Sequence, residues 1–171
     1  MEIDTLIKEL LQILKKEIQS LNTVSELLML EEKSLIDFDI KSLSEHIEKQ
    51  EDVYTSIACL EKSRNDVLEK IGEKTGVQPE TLCVSKLSEM VDNPLRKQLV
   101  ETRHVLGTVY EDINLKKTSN AMLIKQGIMF VESDINVILR ALGKTEPEKP
   151  VYSSKAVTDI PSRSYRIDGR M

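Results

Sequence analysis

The sequence predicts an all-α protein: an elongated antiparallel helical bundle or coiled coil with long helices and a disordered C-terminal tail. Three observations carry that prediction. Charged residues make up 31% of the 171 residues and aromatics 4%, with no tryptophan. Such a balance suits helical rods and lacks the β-branched and aromatic runs that sheets require. Only six glycines and five prolines are present, so turns are few and the helices between them long. Finally, apolar residues step by three and four over long windows, which places them on single helix faces.

The first helix is expected over residues 2–36. Ile3, Ile7, Leu10, Leu14, Ile18, Leu21, Val24 and Leu28 share one face, and Leu6, Leu11 and Leu27 widen it. At 1.5 Å per residue this is a rod of roughly 50 Å. The pattern breaks at "IDFDI", where the Asp39 carboxylate can accept from the free N–H groups of a second helix. Leu43, Ile47, Val53 or Tyr54, Ile57, Leu60, Val67, Leu68 and Ile71 mark the face of that helix. Gly72 is its expected left-handed stop. "GEKTGVQPETL" reads as a loop. Pro79 suits the first position of the next helical piece, and Glu80 complements its dipole. A short helix takes in Leu82, Val84, Leu87 and Val91, and then Asn93 is expected to cap the last helix with Pro94 at its first position.

That last helix is expected over about 94–142, roughly 70 Å of rod. Its seam runs Leu95, Leu99, Leu106, Val109, Ile113, Asn120, Ile124, Ile128, Val131, Ile135, Ile138 and Leu142, close to a heptad alternation with one polar interruption. Gly143 should end it. From Lys144 onward no apolar periodicity remains, and "KTEPEKPVYSSKAVTDIPSRSYRIDGRM" reads as disordered when free. The expected organisation is therefore a helical body over 1–143 and a flexible tail over 144–171.

Charge narrows the function classes. Residues 1–143 carry 18 Lys/Arg against 25 Asp/Glu, and residues 144–171 carry 6 against 4. An acidic body leaves no basic face for phosphates, which argues against nucleic acid as a partner. The start, "MEIDTLIKEL", has neither signal-peptide nor transit-peptide character. No apolar run approaches the ~20 residues that cross a bilayer, so membrane insertion is not expected. Cys59 and Cys83 lack metal-type spacing and sit among apolar residues. They are expected to be buried structural thiols in a reducing, cytoplasmic setting.

Nothing in the sequence points to catalysis or a cofactor: there is no G-x-S-x-G, no Walker loop and no Gly-rich dinucleotide turn. Glu101-Thr-Arg-His104 is an E-x-x-H, but di-metal bundles need two such motifs. The other histidine, His46, has none, so no metal site is expected and His104 should face solvent. The runs "EEKS" and "EKQED" read as solvated faces, their i,i+4 pairs each worth about a few tenths of a kcal/mol.

The order of parts resembles the FlgN-type flagellar export chaperones. The likeness rests on the break at Asp39-Ile40, on Asn120-Ala-Met-Leu123-Ile124 in the last helix, similar to the family's N-x-x-L-I, and on "VYSS" beyond it, similar to T-Y-S. The family often has another Asn where this chain has Lys117, and Val151 stands in place of Thr. The resemblance implies a cytoplasmic, non-enzymatic chaperone. It would bind the C-terminal helical region of hook-associated (hook–filament junction) proteins, prevent premature assembly and deliver them to the type III export apparatus. Tyr152 would be the tail residue in contact.

The residues independently suggest a helix-docking surface. Nearly fifty residues of last helix offer more apolar stripe than the preceding segments cover. Ile124, Ile128, Val131, Ile135 and Ile138 can anchor a client helix at i, i+3, i+4 and i+7 spacing, with Asn120 and Leu123 at the start of the stripe. Met122 and Met129 flank it, and methionine adapts to irregular partners. Gly127 would admit another backbone. Asn120 either faces that client or bonds a neighbouring helix within a closed bundle. The alternative from a different class is a structural coiled coil that self-associates through the same seams as a homodimer.

Overall fold

The computed structural model describes residues 2–142. These form α1 (Glu2–Ile36), α2 (Ile40–Thr75), a 3-10 turn (Pro79–Thr81), α3 (Val84–Glu89) and α4 (Asn93–Ala141). No strand occurs among the described residues. The expected tail and the expected stop at Gly143 lie outside them.

The chain divides into two units, Met1–Ile124 and Lys125–Met171. In the first, α1 and α2 form an antiparallel hairpin: Glu2 pairs with Lys74, Glu17 with Arg64, Glu31 with Gln50, and Ser34 with His46. Up to Ile124, α4 runs parallel to α1, because Ser25 meets Asp112 and Lys116, Glu32 meets Ser119, and Leu28 meets Asn120. In an up-down-up order the third long helix is necessarily parallel to the first. The core draws Ile7, Leu10, Leu14, Leu21, Val24 and Leu28 from α1, Ile57, Val67 and Ile71 from α2, and Leu99, Leu106 and Ile113 from α4. Leu82, Leu87 and Val91 close it from the connector. The second unit is described over 125–142, where α4 continues as helix to Ala141.

Asp39 caps α2 as its sequence position predicts. The Ser42 N–H donates to Oδ1 at 3.1 Å and the Ser42 hydroxyl to Oδ2 at 2.6 Å. These bonds, the hydroxyl's first, hold the Asp39 carboxyl below the usual carboxylate range. The end of α1 is a Schellman-type turn, the Asp39 N–H donating back to the Ser34 carbonyl at 2.9 Å. The residue at its left-handed position is Phe38, with φ 55°.

Gly72 is not the stop of α2. The helix runs on to Thr75, and Gly76, at φ 70°, is the left-handed cap, its N–H donating to the Gly72 carbonyl at 2.8 Å. Gly72 is buried, and a Cβ there would sit 2.7 Å from the Val77 carbonyl oxygen and 3.0 Å from the Pro79 ring. Its missing side chain lets the connector fold back onto α2. Pro79 opens a 3-10 turn, and α4 begins at Asn93, with the Asp92 carbonyl accepting from Leu95 and Arg96.

The cysteines also differ from expectation. Cys59 is exposed, and Cys83 is half-buried just before α3. Two residues turn a helix by about 200°, so burying Ile57 sends Cys59 to the far side. The Lys86 amide at the start of α3 pulls the Cys83 thiol below its ordinary range.

Candidate helix-docking face of α4

The α4 seam changes character along its length. Leu99, Leu106 and Ile113 are buried against α1 and α2, and Asn120 is the last buried residue of the series. α1 itself ends at Ile36, four residues after Glu32 makes the last bond to α4. Leu123 is half-buried. Ile124, Ile128, Val131, Ile135 and Ile138 are exposed, as are Met122, Met129, Phe130 and Val137 on other faces of the helix. A Cβ built on Gly127 would meet nothing within 4 Å.

A belt of polar contacts marks where burial ends in the first unit. Lys116 Nζ donates to Asp112 Oδ2 and to Ser25 Oγ, each at 2.6 Å, and the Ser25 hydroxyl donates to Asp112. These donors, Lys116 first, depress the Asp112 pKa. Ser119 donates to Glu32 at 2.9 Å. The Thr118 hydroxyl folds back onto the Asn114 carbonyl of its own helix. The Lys117 ammonium lies 5.3 Å from the centre of the Tyr54 ring.

Asn120 takes the second of the two arrangements open to it. It is 3% exposed, and its Nδ2 donates to the Leu28 carbonyl at 3.0 Å, while its Oδ1 has no hydrogen-bond partner among the described residues. In the free chain it therefore belongs to the bundle, where a buried amide fixes the register of α4 on α1. The exposed part of the seam starts after it. Tyr152 lies outside the described residues.

The reading of the charge runs as solvated faces is corrected in part by three bonds. Glu31 accepts from the buried Gln50 at 2.8 Å, Glu32 accepts from Ser119, and the buried Ser34 lies 3.3 Å from His46 Nδ1. Within "EEKS" and "EKQED", Glu31, Glu32, Ser34 and Gln50 thus join helices, while Lys33, Glu48, Lys49, Glu51 and Asp52 are exposed as expected. Sequence reasoning also missed Glu17, which is buried and pairs with Arg64 at 3.2 Å. Desolvation raises its pKa against the pull of Arg64. The available signal was its spacing, three residues after Leu14 and four before Leu21, both on the buried stripe. Glu101 and His104 are exposed on α4, and among the described residues no three His, Cys, Asp or Glu side chains are grouped to hold a metal.

What α4 offers is a row of branched apolar side chains at helical spacing. A family model described as FlgN protein matches residues 1–158. The chain belongs to the FlgN family. No curated protein and no solved structure matched it. FlgN membership carries a role as a flagellar export chaperone, a class not known for enzymatic activity. No helix of the described residues is long and apolar enough to cross a membrane.

Proposed function

We propose that this FlgN-family protein is a cytoplasmic chaperone that holds the C-terminal helical region of hook–filament junction subunits along the exposed face of α4. It thereby keeps them from assembling early and hands them to the flagellar type III export apparatus. One observation carries the reading: Leu99, Leu106 and Ile113 are buried, whereas Ile128, Val131, Ile135 and Ile138, spaced by three and four residues on the same helix, are exposed. A partner helix would remove that surface from water in the helix-in-groove mode. Leu123 and Ile124 open the stripe, while Asn120 positions it from within the bundle. The body over 1–143 carries this contact, and the tail over 144–171, with Tyr152, adds a second one to client or export gate.

The experiment is backbone amide exchange of the full chain with and without a purified hook–filament junction subunit. Protection concentrated over 123–139 is expected. Absence of protection there on complex formation would move the docking site elsewhere. Sedimentation of the free chain tests the self-associating alternative, in which this stripe would already be covered by a second copy and the subunit would add no protection.

A further inference from the structure

The α1–α2 turn is unexplained by this role. Phe38 occupies the left-handed position of the turn, with φ 55°, a conformation that glycine adopts freely and residues with a Cβ adopt at a cost. Its ring gains little burial from the fold in return, being 76% exposed. Ile36 and Ile40 on either side are exposed as well, and so are Met29, Leu30 and Ile47 on the adjoining helices. The chain has only two phenylalanines, and one is held out at the tip of the hairpin. Local strain combined with an outward aromatic is the pattern of a residue kept for contact.

Charge indicates what it contacts. Residues 26–52 hold nine acidic and three basic side chains, a net of −6. Most of the body's net negative charge therefore lies on the turn and the helix segments that flank it. Nucleic acid and anionic lipid are repelled, and a second copy would bring an equally acidic tip. We infer that the α1–α2 turn is a second docking site, in which Phe38, flanked by Ile36 and Ile40, seats a basic amphipathic segment of another protein. Its residues are other than those of the client face on α4.

The test titrates two defined amphipathic peptides, one built of Leu and Lys and one of Leu and Glu, into the full-length chain. It is repeated with Ile128→Asp/Ile135→Asp, so that the α4 stripe does not answer for the turn. The Leu/Lys peptide should bind in both backgrounds, more weakly as salt rises, and Phe38→Gly should weaken it by about tenfold or more. The same change should raise the melting temperature, since it relieves the left-handed residue. Loss of binding alongside gained stability separates a contact role from a structural one. Equal binding of the two peptides, or binding that Phe38→Gly leaves intact, overturns the inference. In cells, photocrosslinking from benzoylphenylalanine at position 38 should map to a net-positive apolar segment of another protein. Crosslinks only to this chain would overturn it. A failed client test on α4 leaves this outcome untouched, because the readouts come from different helices.

Discussion

Replacing Ile128 and Ile135 together by Asp should abolish high-affinity client binding while leaving the bundle folded. Ile128 is 38% exposed and Ile135 49%, so a client helix has that remaining surface to bury. Full burial of an isoleucine side chain contributes roughly 1.5–3 kcal/mol. The uncovered fractions thus amount to about 1.3–2.6 kcal/mol for the pair. Each Asp would also place a carboxylate under the docked helix, adding at least ~1–3 kcal/mol of unmet solvation. The total exceeds about 3 kcal/mol, a weakening of a hundredfold or more. In the free protein both positions face water, and Asp costs only about 0.5 kcal/mol each in helix propensity. Titration calorimetry with a purified hook–filament junction subunit reads the first effect, and circular dichroism with thermal melting reads the second. Ile113→Asp is the contrast: at 5% exposure on the same seam, it buries an unpaired charge and should unfold the bundle. A double variant that binds within threefold of the parent would show that the client does not lie on this face.

Three further outcomes follow from named contacts. Gly72→Ala should destabilise the protein by about 1–2 kcal/mol in urea denaturation, because the clash with the Val77 carbonyl outweighs the better helix propensity; a stabilised variant would refute the close approach of the connector. Glu17 has a raised pKa when folded, so its contribution favours folding fully below the unfolded value of 4.5 and is lost as pH rises through the folded value. Glu17→Gln should therefore flatten the fall in stability between pH 4.5 and neutrality, and an unaltered pH profile would assign that slope to other groups. Deleting residues 147–171 should lower client affinity or export while leaving the melting temperature unchanged; a large drop in melting temperature would make the tail a structural part.

Apolar spacing made the long helices legible, and the cap at Asp39 was legible because a carboxylate before a helical run has one favoured use. The stop of α2 was less so. Gly72 and Gly76 both satisfy the pattern of a left-handed cap, and only the path of the connector, pressing Val77 and Pro79 onto Gly72, separates them. Phe38 gave no signal, since bulky residues are poor candidates for positive φ. The interhelical roles of Glu31, Glu32 and Gln50 depend on which helices are neighbours, which a one-dimensional pattern does not encode. Their type pointed to solvent, and their position on the inner edges of the stripes decided otherwise. The α4 seam was readable as a stripe, but where its cover ends was not. Within the first unit that point is set by the length of α1, ending at Ile36, and by the Leu28–Asn120 bond.

The constant offset between α1 and α4, with partners 87 to 92 residues apart, bears on how such chains can diverge. A residue inserted in α1 before Leu28, or in α4 before Asn120, would swing every later side chain of that helix by about 100° and scramble the match between Asn120 and Leu28. A residue inserted between Gly76 and Asp92 but outside α3 leaves the faces of the three long helices intact, at the small entropic penalty of a longer loop. Length variation among descendants of this chain is thus expected to gather in that link, with Gly72 and its two neighbours in space as the part that resists drift.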